Sequence, residues 1–442
     1  MKTMSKMKFV TLTLALSLAV VGCSSNGNGN AGTPTNEPST VPTGTDEGAK
    51  ETVELSFLVH ETPNLSGQFW DAQIKKVTDK YPHIKINKIV SPDIDRAKYA
   101  KQLLATGDFP DVMISVNPAE FAASGALLPF PEESLAKFTQ PNANLIDGKQ
   151  YQLPWNTQTY PTMYYNKKIF DEVGVTPPAT WSEFMEISEK IKNAGYTPLL
   201  YGGGSDPWAT TFLTVAIIGS DVYAETPDWV AKRKNGEVKF SDPAFKNAIL
   251  KWKEVVDKGY FNEDGLSLNY GQLEEVWFRG QTAMYPMGSW YISADAATEK
   301  DFEVGTFALP SDSGDPVIAV FTGGGTSVSA KTAHPEEAIL FATEFASNPE
   351  IMAEFMKADG SIPALVEEVP FESTPLFDEQ LEQLAKYKPV NSFGVEAGDD
   401  ALLPGIKDAF DKMAQDIIMG ADVESELAKL DKLWDDTAAR MK

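Results

Sequence analysis

The spacing of apolar residues along the chain alternates between short extended runs and a helical period. Val53 to Val59 is a strand-like run, after which Trp70, Ile74, Val77 and Tyr81 recur at the spacing of one helix face. Ile84 to Val90 predicts a second strand. Tyr99, Leu103 and Leu104 lie on a helix ended by Gly107, and 111–116 predicts a third strand. Strands alternating with helices predict an α/β lobe with a largely parallel sheet. Ligands of such sheets gather in the loops beyond the strands' C-terminal ends. Here those loops begin with His60-Glu61-Thr62 and Asn117-Pro118.

The stretch 151–184 organises the remainder. A short apolar run ends at Pro154-Trp155, polar Asn156-Thr157-Gln158-Thr159-Tyr160 follows, and Met163 to Lys167 is extended again. Pro177 and Pro178 break the chain. Thr180 with Glu183 then gives a capping-box signal for a helix over Trp181–Asn193. Further on, 242–258 is a helix with Phe245, Ile249, Trp252 and Val256 on one face. The segments 280–290 and 302–309 predict strands, the first leading into a loop. Helices are predicted over 335–346 and 349–357, within 375–387 and 402–419, and over Val423–Met441.

The motifs LPW, YYNKKIFDEVGV, PATWSEF and AMYPMGSW together resemble family 1 of the extracellular solute-binding proteins, the group that includes the maltose-binding protein. The resemblance runs from about Val53 to the C-terminus, and none of these motifs identifies a ligand. It implies a two-lobed α/β fold of the type II periplasmic-binding-protein kind, with a ligand cleft between lobes joined by hinge crossings. The first lobe would comprise 53–160 and 323–370, and the second 161–322 and 371–442. The chain would cross at the polar tract, at Val317–Gly323 and near 369–374. No internal repeat is visible.

The N-terminus changes the picture of where such a protein works. Lys2, Lys6 and Lys8 precede an apolar run from Phe9 to Val21 that is short for a bilayer span, the pattern of a secretory signal over 1–22. It ends Val20-Val21-Gly22-Cys23, which resembles a bacterial lipobox with Cys23 as the lipidated first residue. The alternative is an ordinary cleaved signal with a stray cysteine. Cys23 is the only cysteine, so no disulfide forms within the chain. Residues 23–52 are rich in Ser, Gly, Asn, Thr and Pro and predict a disordered tether. The expected location is therefore extracytoplasmic, on the cell membrane. The formal charge is −25, or −28 without the three signal lysines, and no basic stripe occurs. That composition argues against nucleic acid and anionic lipid as partners.

Catalytic chemistry finds little support. The three histidines, His60, His83 and His334, are far apart, with no zinc-binding spacing and no cysteine pair, so no metal is expected. Gly202 to Gly204 and Gly323 to Gly325 lack the Lys-Ser or Lys-Thr of a phosphate loop, and no cofactor is expected. No nucleophile elbow is present. A glycoside hydrolase needs only two carboxylates and stays as the enzymatic alternative. A receptor for a non-sugar solute is the other.

Trp155, Trp208 and Trp290 each adjoin Pro or Gly at the end of an extended run, whereas Trp181, Trp252 and Trp434 lie on predicted helices and are expected in the core. Flat apolar rings bordered by amides, hydroxyls and carboxylates suit a sugar, whose C–H face stacks while its hydroxyls bond around the edge. By resemblance, the first lobe would offer His60, Glu61, Asn117 and the Gly324 backbone. The crossing would offer Trp155, Gln158 and Thr159, and the second lobe Asp206, Trp208, Trp290, Asn391 and Phe393. The maltose-binding protein carries an acid-rich first-lobe loop that this chain lacks, which counts against maltose and leaves other glycans open. The resemblance implies a monomeric, non-enzymatic receptor that hands a carbohydrate to the permease subunits of an ABC importer.

Overall fold

A computed structural model describes residues 51–92, 96–311 and 316–441. The signal, the tether and Cys23 lie outside these residues. Three sheets organise the described part.

The first contains β1 (Val53–Val59), β2 (Ile84–Val90), β3 (Val112–Ile114), β4 (Leu127–Leu128) and β11 (Thr326–Ser329), in the order β2-β1-β3-β11-β4. β1 pairs in parallel with β2 and β3, while β11 runs antiparallel to β3 and β4. The sheet is thus parallel only on one side, because β11 arrives from the far end of the chain rather than through a right-handed crossover. The third strand is shorter than its apolar run: Ser115 adopts φ +55° and turns the backbone out of the sheet.

The second sheet is the hinge. β5 (Asn156–Thr159) lies between β12 (Ile362–Pro363) and β10 (Val317–Gly323), and β13 (Lys388–Asn391) pairs in parallel with β10. β5 and β10 are antiparallel, as two crossings in opposite senses must be. The third sheet has the order β7-β8-β6-β9, with β6 (Thr162–Asn166), β7 (Thr197–Leu199), β8 (Thr282–Met287) and β9 (Val304–Phe307). Around it pack the helix Pro243–Asp257, which buries Phe245, Ile249 and Trp252, and the C-terminal helices Ile406–Ile418 and Val423–Met441.

The helix Trp181–Asn193 begins where the sequence predicts. Thr180 accepts a hydrogen bond from the Glu183 amide at 3.2 Å, and the Glu183 carboxylate accepts from the Ala179 amide at 2.7 Å. Trp181, Trp252 and Trp434 are buried, as their helical positions predict. The hydrophobic core does not divide cleanly between lobes. One cluster runs from Leu55, Phe57 and Trp70 beneath the first sheet, through Trp155, to Tyr285, Met287 and Tyr291 beside the third. The lobes are joined by packing near the hinge as well as by its strands.

Candidate functional site

Gln158 lies on β5 and Tyr160 just beyond its end, where the Tyr160 amide still donates to the Ala319 carbonyl at 2.9 Å, so alternation carries both side chains to one face of the crossing. Tyr160 heads a partly exposed aromatic wall. Its ring lies 5.5 Å from Trp290, and Trp290 lies 6.5 Å from Trp208 at 72°. Tyr270 continues the wall, 5.5 Å from Trp208. Phe212 backs it from the core, 5.2 Å from Tyr160.

Each ring is placed by local backbone chemistry. Trp208 sits on the turn Pro207–Thr210, whose proline supplies a preset φ. Trp290 folds back over Gly288, where a Cβ would stand 2.1 Å from the indole. Tyr270 opens the helix Tyr270–Phe278, and its amide donates to the Asp206 carboxylate at 3.0 Å. Asp206 thereby positions the wall.

Opposite Gln158 is a polar network that the sequence does not announce. The helix Pro349–Asp359 ends at Gly360, φ +53°, where a Cβ would meet the Ser289 carbonyl at 2.2 Å. This close approach brings Asp359 and Ser361 against the turn that carries Trp290. Asp359 accepts from Gln158 Nε2 at 2.7 Å and from Asn64 Nδ2 at 3.1 Å. Burial raises its carboxyl pKa to about 6, opposed by the Asn64 and Gln158 hydrogen bonds and by Arg96. Burial also raises the Glu274 carboxyl, which accepts from the Tyr270 hydroxyl at 2.9 Å. Asp359 in turn helps burial and Glu274 to raise the Tyr270 phenol.

His60 follows β1 directly and is buried beside Trp70, whose indole N–H donates to the His60 carbonyl. Burial, with Arg96 adding to it, lowers the imidazole pKa well below 6.5, so His60 is neutral at pH 7. Its Nδ1 has no partner among the described residues.

Several expected contacts are placed elsewhere. Trp155 is 2% exposed, with its ring 4.6 Å from Phe355, so it fills the core under the first sheet instead of facing a cleft. Phe393 is fully buried, 4.7 Å from Phe410, in the core cluster that also holds Phe240 and Phe245. Thr159 is buried and bonds to Gln380 and Thr162. Alternation along β5 turns it away from the face of Gln158. Both backbone groups of Gly324 are occupied, its carbonyl by Ser115 and its amide by Gln152. What that glycine contributes is its left-handed backbone, φ +68°. Glu61 and Asn117 are exposed on their loops, and Asn117 caps the following turn through the Ala119 amide. Asn391 lines a separate crevice of about 250 Å³ with Asn144, Thr322 and Glu396. The structure therefore groups Gln158, Asp206, Trp208 and Trp290, with His60 near the shared Arg96. It adds Tyr160, Tyr270, Asn64, Asp359 and Ser361. Of these only Tyr160, two residues from Gln158 in the same polar tract, had a signal in the sequence.

Comparisons with known proteins bear on this arrangement. The model of the family described as bacterial extracellular solute-binding protein matches residues 62–352. The multiple sugar-binding protein of Streptococcus mutans serotype c is 27% identical over 308 residues, 66% of this chain and 71% of that one. A chitin oligosaccharide binding protein of known structure is similar at TM-score 0.77 and 26% identity, over 88% of this chain and 99% of its own. The raffinose complex of RafE has the same fold, with TM-score 0.68 and 22% identity over 88% and 100% of the two chains. The chain accordingly has the two-lobed α/β fold expected of its motifs, and it belongs to the bacterial extracellular solute-binding protein family.

Proposed function

We propose that this chain is the receptor of an ABC importer and captures a neutral oligosaccharide between its lobes. The observation that carries the reading is the partly exposed wall of Tyr160, Trp208, Tyr270 and Trp290 beside the Gln158–Asp359 network, which adjoins it where Gly360 approaches Ser289 and where Tyr270 feels the Asp359 charge. Rings supply stacking surface, and the network supplies edge hydrogen bonds. Asp206, Glu274 and Asp359 outnumber Arg96 around these groups, a balance that disfavours acidic glycans. Relatives and structural neighbours whose names mention multiple sugars, chitin oligosaccharide and raffinose support the carbohydrate class.

In this reading the lobes are 53–160 with 323–370 and 161–322 with 371–442, and ligand contacts from both favour a closed state. The permease would recognise that state. The monomeric receptor would hang from the outer face of the membrane by a lipid on Cys23. It would perform no chemistry. Asp359 and Glu274, with their raised pKa values, are the pair a hydrolase would use, but Asn64 and Gln158 occupy the first and Tyr270 the second.

A thermal-shift panel of triacetylchitotriose, xylotriose, raffinose, stachyose and trigalacturonate tests this, since a ligand bound by the native state alone raises Tm. At least one neutral sugar should raise Tm, trigalacturonate should not, and the bound sugar should be recovered intact. Sustained release of reducing ends, or a response to trigalacturonate alone, would overturn the reading.

A further inference from the structure

Gln158 is held by its amide nitrogen. Nε2 donates to Asp359 Oδ2 at 2.7 Å and lies 3.3 Å from the Asp359 main-chain carbonyl and 3.5 Å from Ser361 Oγ. These partners engage both amide hydrogens on one side. Oε1, with no hydrogen bond from the described residues, is left toward the open side of the half-buried residue. The other carboxylate oxygen, Oδ1, accepts from Asn64 Nδ2 at 3.1 Å. Asn64 cannot turn over, because its Nδ2 also donates to the Ala358 carbonyl at 2.6 Å and its Oδ1 accepts from Thr62 at 2.7 Å.

We propose that Asp359 is a positioning residue that decides which end of the Gln158 amide faces a bound sugar. With Asp359 ionised the site accepts a hydrogen bond from the sugar, and with Asp359 protonated it donates one. The inference rests on the sugar-receptor reading and extends it to the polarity of a single contact.

Donors and acceptors around the carboxylate set the orientation of the amide. An ionised carboxylate only accepts, so it draws Nε2 inward and leaves Oε1 to meet a ligand hydroxyl or acetamido N–H. A protonated carboxyl must place its O–H on one oxygen. Oδ1 faces the pinned Asn64 donor, so the proton belongs on Oδ2, where it would oppose the Gln158 N–H. Turning the amide by 180° relieves that conflict and gives up the longer 3.3 Å contact with the Asp359 main-chain carbonyl: Oε1 accepts from the carboxyl and Nε2 is presented outward. Ser361 Oγ can donate or accept and suits either state.

The exchange falls within a physiological range because burial raises the Asp359 carboxyl to about 6. The charged and titratable groups that act on it or feel it are Arg96, which also acts on neutral His60, and Tyr270, which is hydrogen-bonded to Glu274. Arg96 favours the carboxylate, and Tyr270 feels its charge.

The test uses the mature chain, its Asp359→Asn and Gln158→Ala variants, and two readouts. Without ligand, the Gln158 side-chain amide is followed by ¹⁵N NMR and assigned by its loss in Gln158→Ala. It should shift in the parent with a midpoint near pH 6 and stay fixed in Asp359→Asn, whose own amide can donate to Oε1. With triacetylchitotriose and raffinose, calorimetric affinity of the parent should change about tenfold between pH 7.5 and 5.0, the size of one matched contact becoming mismatched. Asp359→Asn should show a flat profile equal to the parent's value at pH 5.0. A parent amide that does not titrate, or an Asp359→Asn variant that keeps the parent's pH profile, would overturn the proposal. Failure of every sugar in the thermal-shift panel would instead strike the receptor reading, and the ligand-free titration would still decide the switch.

Discussion

At the scale of residues, Trp290 and Trp252 show how position separates two indoles of equal chemistry. Trp252 lies on a helix face and is wholly buried, whereas Trp290 rests on Gly288 with part of its ring open. If a sugar covers roughly 60–100 Å² of that ring, burial at about 25 cal/mol/Å² contributes on the order of 1.5–2.5 kcal/mol. Trp290→Ala should therefore weaken sugar binding by roughly ten- to sixtyfold. Trp252→Ala should leave a cavity and cost about 3–5 kcal/mol of stability. Calorimetric titration and unliganded melting of both variants check this. A Trp290→Ala protein that binds like the parent but melts as low as Trp252→Ala would make Trp290 a core residue.

At the scale of elements, the segment after β13 carries a buried carboxylate apart from the aromatic wall. Glu396 accepts from the Tyr223 hydroxyl and, at 2.7 Å, from the Gly394 amide. Burial, with Asp400 adding to it, nevertheless raises its pKa from 4.5 to about 7. The native state then holds this proton more tightly than the unfolded chain does. The stability it contributes is complete below pH 4.5 and is lost as pH rises through about 7. Glu396→Gln keeps the acceptor for the Gly394 amide and removes the charge. Denaturant titrations should show the variant gaining on the parent by about 2–3 kcal/mol between pH 4.5 and 8. A constant difference across that range would mean that Glu396 does not titrate there.

At the scale of the whole molecule, capture and anchoring are separable. The hinge sheet joins lobes that also share a core through Trp155, so closure has to turn about these strands without breaking that packing. The expected anchor is covalent, and Cys23 is not among the residues that form the cleft. Cys23→Ala should leave the membrane fraction after high-salt washing while keeping the parent's sugar affinity. A variant that resists extraction as the parent does would require another attachment. Two acyl chains hold a protein on a bilayer, and a single one holds it marginally, so partial extraction of the parent would report its incomplete lipidation.

Much of this architecture was legible in the chain because local physics determines it. Period-two and helical spacing mark β1, β2 and the helix Val423–Met441 at their observed limits. The Thr180 cap starts its helix at the expected residue, since cap chemistry lies within four positions. Gly288-Ser289-Trp290 identifies a ring over a glycine turn. Other features were decided only by tertiary packing. Trp155 carries the same local signature as Trp208, yet Phe345 and Phe355, about two hundred residues away, close over it. Asn64, Gln158 and Asp359 share no motif. They meet because the hinge pairs β5 with β12 and because Gly360 lets the end of one helix approach Ser289. Spacing along a chain encodes which face a residue occupies, but which distant face it meets depends on how the lobes pack.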